Sequence, residues 1–287
     1  MPQLEERFTT HAGGRVRYLI GGVGPPMVLC HGFLGSAENF ETWFDELSAI
    51  RTLIVPDLPG CGASAPLPST VRHSAGRLAG AVSSVCRDAG ADRYDIAGLC
   101  LGVSVAMALL QQRPAAVERL VLHTPLLAPE LVRRRFHLQV RGFMAPGIFP
   151  AISWLSRRRV VSDLYKRLLV EGENVDRTAA EMNFRNQLRA EPRALREWLL
   201  DGLARDDVAL LRSSRRPALI IVASDDRIVD VPVLRATVAG INTVQLAEVS
   251  DAGHGWTESY VHRQLELIST FLRDSAQPAA ASTAQVA

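Results

Sequence analysis

Ala97-Gly98-Leu99-Cys100-Leu101-Gly102 carries the most specific structural signal in this chain. The apolar run Tyr94-Asp95-Ile96 precedes it, and residues 103–112 follow with helical character. The segment is therefore predicted to be a sharp turn from a strand into a helix. A glycine on either side of Cys100 suits such a turn, because a residue without Cβ lets the helix pack closely against the sheet.

The spacing Gly98-x-Cys100-x-Gly102 resembles the nucleophile elbow of the α/β-hydrolase family, Gly-x-Ser-x-Gly, in which the nucleophile stands exposed above the sheet. Here a thiol takes the place of the serine hydroxyl. Two further segments carry the resemblance. His31-Gly32-Phe33 follows an apolar run and is similar to the oxyanion loop of the family, and residues 57–64 are similar to the turn that follows the next strand. Asp57 is interpreted as a turn and cap residue.

Apolar runs suited to strands alternate with helix-like segments along most of the chain. Strands are predicted over residues 8–10, 15–20, 27–30, 52–55, 94–98, 117–123, 218–223 and 243–249. Helices are predicted over residues 37–50, 71–89, 103–112 and 260–274. This alternation predicts an α/β fold with a mostly parallel central sheet flanked by helices.

Residues 126–211 interrupt the alternation, because they contain helix-like segments punctuated by prolines and glycines and no strand pattern. The resemblance implies that this segment is a helical cap inserted after the sixth strand. The α/β-hydrolase core is then expected to span residues 1–125 and 212–274. Residues 275–287 are rich in Ala, Ser, Gln and Pro, and we expect them to be disordered for lack of apolar side chains.

An acyl-transfer site needs a nucleophile, a base, a group that orients the base, and donors for the oxyanion. The candidates are Cys100, His254 and Asp226, which occur in the order nucleophile, acid, histidine that is typical of the family. Each follows a predicted strand, at the edge where ligands bind in open α/β sheets. The backbone N–H groups of Leu101 and Phe33 are the expected oxyanion donors.

Other interpretations of these residues stay open. Cys100 could be a small core residue, as most cysteines in apolar segments are. His254 could be a histidine of a surface loop. Asp226 is preferred over Asp225 because Asp-Arg-Ile-Val has the spacing of the family after this strand. His123, after its strand, either lines the pocket or forms a hydrogen bond in the core.

A cysteine nucleophile changes the expected reaction. An ordinary thiol has a pKa of about 8.5, and a nearby imidazolium or helix N-terminus favours the thiolate. The acyl-enzyme is then a thioester, which favours amines and thiols as acceptors more than an oxygen ester does. The sequence predicts a thioesterase or acyltransferase that acts on an acyl thioester or ester through an acyl-Cys100 intermediate. In the resembled superfamily, dienelactone hydrolases, polyhydroxyalkanoate synthases and some assembly-line thioesterases also have cysteine at the elbow.

Three alternatives remain beside this prediction. The first is a lyase or cyclase in which His254 is a general base and no acylation occurs. The second is a non-catalytic binding protein that uses the pocket as a receptor. The third is that Cys100 is an engineered replacement for serine.

Basic and apolar residues are interleaved within the predicted cap. Between residues 131 and 167, nine side chains are arginine or lysine and one, Asp163, is acidic. They form either a solvated helix face or a surface that attracts an anionic acyl carrier such as coenzyme A or an acyl carrier protein. The side chains expected to shape or cover the pocket are His31, Phe143, Trp154 and Trp256.

Composition narrows the classes of protein to consider. The net charge of +2 gives no reason to expect a nucleic-acid partner. A membrane span needs about 18 consecutive apolar residues, which the sequence lacks. Cys30, Cys61, Cys86 and Cys100 have no metal-binding or disulfide-framework spacing, which favours a reducing cytoplasm. No metal or organic cofactor is expected, because the predicted groups supply each catalytic role, and the oligomeric state is left open.

Overall fold

A computed structural model describes residues 4–144, 148–155, 157–166, 177–250, 252–254 and 258–274. Within them, the strands are β1 Glu5–His11, β2 Gly14–Gly22, β3 Pro26–Cys30, β4 Thr52–Pro56, β5 Tyr94–Leu99, β6 Val117–His123, β7 Ala218–Ala223 and β8 Val244–Val249. They form one sheet with the order β1-β2-β4-β3-β5-β6-β7-β8.

The sheet is mostly parallel. β1 and β2 form an antiparallel hairpin, and β2 also pairs antiparallel with β4. From β4 through β3, β5, β6 and β7 to β8 every pair is parallel. The carboxyl ends of these parallel strands share one edge, so the loops that follow β3, β5, β7 and β8 lie near one another.

Helices cover both faces of the sheet. Four of them are α1 Glu41–Leu47, α2 Ala75–Asp88, α3 Gly102–Gln112 and α11 Glu258–Asp274. Val28 and Ile54 pack on one face with α2 and α3, whereas Leu29 and Val55 pack on the other with α1 and α11. This double cover explains why β5 and β7 are buried along their whole length. The α/β fold class predicted from the sequence is confirmed.

Helices follow one another between β6 and β7, at the place predicted for the cap. They are α4 Arg134–Phe143, α5 Ile148–Leu155, α6 Arg159–Lys166, α7 Arg177–Arg189, α8 Pro192–Ala204 and α9 Val208–Ser213. α10 Val231–Val238 lies between β7 and β8. The α8 helix packs tightly on the core, where the buried Trp198 donates from Nε1 to Ser104 Oγ over 3.1 Å.

Some helix starts differ from the sequence prediction. The predicted helix over 37–50 begins as a 3-10 turn, Ala37–Phe40, and continues as α1 only from Glu41. The helix predicted from residue 71 begins at Ala75, because Ser74 has extended backbone angles and its side chain caps the first turn. In the described part of the chain, no helix is long and apolar enough to cross a lipid bilayer.

Candidate active site

The elbow between β5 and α3 holds Cys100 in a strained conformation. Its φ is +50°, in the left-handed region that L-residues with a side chain seldom occupy. The Cys100 N–H donates to the carbonyl of His123 on β6 over 2.9 Å, and the Cys100 carbonyl accepts from Val103 N–H over 3.2 Å. Strain of this kind persists only where the surroundings impose it, and it is concentrated at functional sites.

The two glycines of the elbow are required by close backbone packing. A Cβ on Gly98 would lie 2.7 Å from Val103 Cα. A Cβ on Gly102 would lie 2.4 Å from the carbonyl oxygens of both Cys30 and His31. The start of α3 therefore rests directly on the end of β3, which places Cys100 beside the loop that follows β3.

Cys100, His254 and Asp226 meet at the carboxyl edge of the sheet, although they are far apart in the chain. His254 Nδ1 lies 2.9 Å from Asp226 Oδ2 and 3.1 Å from Oδ1. The histidine side chain also forms a hydrogen bond with Cys100. Asp226 Oδ1 accepts two backbone N–H bonds as well, from Ile228 over 2.7 Å and from Val229 over 2.8 Å.

The electrostatics of this cluster favour an ionised carboxylate and a protonated imidazole. Burial opposes charge on Asp226, but His254 and the two backbone donors outweigh it and hold the pKa of Asp226 below its ordinary value. Burial likewise lowers the pKa of His254, but the attraction of Asp226 and Cys100 raises it well above 6.5. A buried imidazole with a carboxylate on one nitrogen and a thiol on the other can move a proton to or from sulfur.

The loop after β3 and the residue after Cys100 carry the two backbone N–H groups that are predicted to be oxyanion donors. A Cβ on Gly32 would lie 3.4 Å from Cys100 Cβ, so the loop carrying Phe33 borders the elbow. Leu101 directly follows Cys100. Within the part of the chain that the structure describes, neither the Phe33 N–H nor the Leu101 N–H donates to a protein acceptor. Both therefore stay candidates for binding a negatively charged oxygen.

His31 supports this loop from inside the protein. It is fully buried, its Nε2 accepts from Leu58 N–H over 3.0 Å, and its Nδ1 lies 2.9 Å from the Gly32 carbonyl. These partners require the neutral tautomer with the proton on Nδ1, and burial lowers the pKa of His31. His31 therefore shapes the oxyanion loop and has no free nitrogen with which to transfer a proton.

The three aromatic residues predicted to shape or cover the pocket differ in how exposed they are, and one of them is not among the described residues. Phe143 is half-buried at the end of α4. Trp154 is 62 % exposed on α5, and the Arg158 guanidinium lies 5.4 Å from its ring centre. Trp256 lies outside the described residues.

Other residues that support the site have no specific signal in the sequence. Gln264 of α11 lies 2.8 Å from His123 Nε2 and fixes this histidine behind the cluster, in the buried position that was one of its two interpretations. Asn186 of α7 is buried and donates to Asn39 Oδ1 over 3.0 Å, next to the oxyanion loop. Arg133, which the sequence placed among the cap arginines, donates instead to the carbonyl of Asp226 over 3.0 Å.

Comparisons with known proteins agree with this architecture. Residues 25–255 match the family model described as alpha/beta hydrolase fold. The pyrrolizixenacetamide deacetylase of Xenorhabdus hominickii is 26 % identical over 242 residues, which cover 84 % of this chain and 88 % of that protein. The 2-hydroxy-6-oxo-2,4-heptadienoate hydrolase of Pseudomonas putida is 26 % identical over 259 residues, 88 % of this chain and 90 % of that one.

A solved structure extends the likeness to three dimensions. An esterase of Rhodococcus sp. superposes with a TM-score of 0.76 over 95 % of this chain and 99 % of its own, at 23 % sequence identity. The sheet order, the strained turn after β5 and the family-model match over most of the chain lead to one conclusion: this protein belongs to the alpha/beta hydrolase fold family.

Proposed function

We propose that this protein is an acyl-transfer enzyme, a thioesterase or acyltransferase, that acts through a covalent acyl-Cys100 intermediate. The observation that carries the proposal is the position of His254, whose side chain is hydrogen-bonded to Asp226 on one side and to Cys100 on the other. Cys100 is the nucleophile, His254 the base and Asp226 the group that orients the base.

In the first half-reaction, the Cys100 thiol gives its proton to His254, Sγ attacks the acyl carbonyl carbon and a C–S bond forms. The carbonyl oxygen becomes an oxyanion that accepts from the N–H groups of Phe33 and Leu101. When the tetrahedral intermediate collapses, the bond to the leaving thiol or alcohol breaks, and the leaving group takes the proton held on His254. The product of this step is an acyl thioester on Cys100.

In the second half-reaction, His254 removes a proton from the acceptor as the acceptor attacks the thioester. The C–S bond breaks, and Cys100 recovers the proton from His254. Water as the acceptor gives hydrolysis, and an amine, thiol or alcohol gives acyl transfer. Relatives that are named as a deacetylase, a hydrolase and an esterase support hydrolysis-type chemistry, whereas the thioester intermediate favours amines and thiols.

The donor that we propose is a small-molecule acyl ester or thioester, in which the acyl group is free as an ester or carried on coenzyme A or an acyl carrier protein. Exposed arginines on α4 support an anionic carrier, because Arg134, Arg135 and Arg141 present positive charge on the cap. Arg133 is set apart from them by its contact with Asp226.

Turnover of a panel of acyl thioesters and p-nitrophenyl esters by three variants tests the proposal. Cys100→Ala and His254→Ala should each reduce turnover by about 10²-fold or more, the scale of losing a nucleophile or base. Arg227→Gln, an exposed side chain next to Asp226, should leave turnover unchanged. Retained activity in Cys100→Ala with loss in His254→Ala would favour a non-acylating lyase or cyclase instead. Loss in neither would assign the turnover to groups other than Cys100 and His254, and no turnover of any donor by the unmodified protein would favour a binding protein.

A further inference from the structure

Arg133, at the start of the cap, makes contacts that separate it from the exposed arginines beside it. Its side chain is half-buried, and Nε donates to the carbonyl of Asp226 over 3.0 Å and to the carbonyl of Val229 over 3.3 Å. Arg134 and Arg135, the next two residues, are exposed. The guanidinium of Arg133 is therefore directed into the loop that carries Asp226.

The backbone on both sides of Arg133 is paired with the same loop. Arg133 N–H donates to the Ile228 carbonyl over 2.8 Å, and Asp230 N–H donates to the Leu131 carbonyl over 2.8 Å. Val132 and Val229 form an antiparallel bridge between these two bonds. Residues 131–133 and 228–230 thus form a short backbone ladder, which holds the cap against the loop after β7.

The peptide groups that Arg133 holds include one that orients the carboxylate and two that adjoin such groups. Ile228 and Val229 donate their N–H groups to Asp226 Oδ1. Their carbonyls accept from the Arg133 backbone and side chain, respectively, and the Asp226 carbonyl accepts from Arg133 Nε. The N–H groups of this turn are therefore held by Asp226 and its carbonyls by Arg133. A shift of Arg133 is expected to move the N–H donors that fix the carboxylate.

We propose that Arg133 is a positioning residue, which couples the start of the cap to the Asp226–His254 pair by clamping the carbonyls of the acid loop. This inference deepens the proposed function, because the pair that Arg133 positions is the proposed base with its orienting acid. Arg133 acts through Asp226 and touches neither the thiol nor the acyl group.

Several charged and titratable groups around His254 influence its titration, and the titration of His254 can test the role of Arg133. Cys100 faces it from the elbow, Asp226 from the loop after β7, and His123 from the end of β6. Tyr260 of α11 faces Asp226. None of these side chains is altered when Arg133 is replaced, and loss of the Arg133 charge would by itself raise the pKa of His254. A fall in the titration midpoint of His254 would therefore report on the geometry of the Asp226 turn.

The first measurement is the NMR titration of the His254 imidazole in Arg133→Gln and in the matched control Arg227→Gln. Glutamine at the first position keeps the backbone ladder but removes the Nε donor and the charge, and Arg227 belongs to the same loop with an exposed side chain. We expect the titration midpoint of His254 to fall by about one pH unit in Arg133→Gln, which is a tenfold change in its protonation equilibrium. Arg227→Gln should titrate as the unmodified protein does.

The second measurement is alkylation of Cys100 by iodoacetamide across pH, which needs no substrate. Cys30, Cys61 and Cys86 are buried and burial raises the pKa of each thiol, so Cys100 is the accessible cysteine of the four. Alkylation requires a thiolate, which a protonated His254 stabilises. We expect Arg133→Gln to react up to about tenfold more slowly near pH 7, in line with the shift of one pH unit.

Arg133→Lys separates the effect of the positive charge at position 133 from the effect of the Nε hydrogen bonds. The same variant can be measured if Arg133→Gln fails to fold. Lysine keeps a positive charge but has no planar guanidinium with a donor at the Nε position. We expect Arg133→Lys to recover less than half of the fall in the His254 titration midpoint that Arg133→Gln causes. Superimposable His254 titrations in the Arg133 variants and Arg227→Gln would overturn the proposal, even if the Arg133 variants unfold at lower temperature. The expected titration shift without any acyl adduct on the unmodified protein would instead overturn the proposed function and leave the role of Arg133 intact.

Discussion

Asp226 accepts two backbone N–H groups and one imidazole on a carboxylate that is almost fully buried. Asp225, the acid directly before it in this loop, is exposed. The two carboxylates are neighbours in the chain, but only the surroundings of Asp226 can stabilise a buried imidazolium. The preference for Asp226 over Asp225 came from family spacing, and the hydrogen bonds supply a physical reason for it.

Replacing Asp226 by asparagine should lower the pKa of His254, because the charge that holds the proton is removed and an amide N–H₂ replaces one acceptor oxygen. We expect the rate of acylation to fall by about 10²–10⁴-fold, the range of general acid–base effects. Single-turnover kinetics and the NMR titration of His254 measure both. Asp225→Asn is the matched control, and an equal loss in the two variants would contradict the assignment of Asp226.

His123 makes stability depend on pH in a predictable direction. Burial lowers its pKa to about 3, and the nearby His254 acts in the same sense, whereas an unfolded histidine titrates near 6.5. Between these values the unfolded chain binds a proton that the folded chain does not. The contribution of neutral His123 to the free energy of unfolding is thus fully present above pH 6.5. It declines as the pH falls, by up to about 1.4 kcal/mol per pH unit.

His123→Gln should flatten this decline, because glutamine keeps a polar side chain at the site and binds no proton. The measurement is the free energy of unfolding in urea at a series of pH values from about 6.5 to about 4, the upper part of the window in which the unfolded histidine is protonated. His262→Gln, whose side chain is 76 % exposed on α11, is the control and should keep the slope of the unmodified protein. A slope in His123→Gln that equals the control would mean that His123 takes up no proton on unfolding.

At the scale of elements, the junction of β5 with α3 depends on two glycines. Gly102→Ala should lower the free energy of unfolding by roughly 1–3 kcal/mol, because its Cβ would overlap two main-chain carbonyls that belong to β3 and its loop. At Gly142, within α4, an added Cβ would have no atom of the described residues within 4 Å apart from its own helix backbone, so Gly142→Ala should stabilise by up to about 1 kcal/mol. Urea denaturation compares them, and equal effects of the two substitutions would contradict the close packing of the elbow.

The sequence predicts best the bounds of those strands and helices that can be recognised from a short stretch of chain. β6 and β7 have the predicted bounds, since apolar runs that are buried on both faces need no partner to be recognised. The hairpin strands β1 and β2 are longer than predicted, because their outer residues are exposed and pair through backbone bonds. Helix starts were less predictable, since they depend on caps such as Ser74 and on the 3-10 turn before α1.

For the whole molecule, the cap is joined to the core at several loops that surround Cys100. Arg133 contacts the acid loop, Asn186 contacts Asn39 beside the oxyanion loop, and Trp198 contacts Ser104 at the start of α3. Each contact links residues that are more than 90 positions apart in the chain. Sequence periodicity carries no information about such pairs, which is why the alternating pattern predicted the fold and the elbow but not these supports.

The exposed arginines at the start of α4 are expected to attract an anionic acyl donor. The double variant Arg134→Glu/Arg135→Glu should raise KM for an acyl-coenzyme A by about three- to tenfold, because two favourable surface charges become unfavourable. The KM for a neutral p-nitrophenyl ester of the same acyl group should not change. Steady-state kinetics at low and high salt checks both, and equal effects on the two donors would exclude a carrier-binding role. Arg133 is left out of this variant, because its contact with the acid loop would confound the result.

The proposed mechanism requires the sulfur of Cys100 to carry the acyl group during turnover. Rapid acid quench of the protein with a reacting acyl donor, followed by intact-protein and peptide mass spectrometry, detects such an adduct. We predict one added acyl group on the peptide that contains Cys100, accumulation of this adduct in His254→Ala when a reactive donor is used, and none in Cys100→Ala. Full turnover with no acyl group on Cys100 at any quench time, together with an active Cys100→Ala variant, would contradict the mechanism.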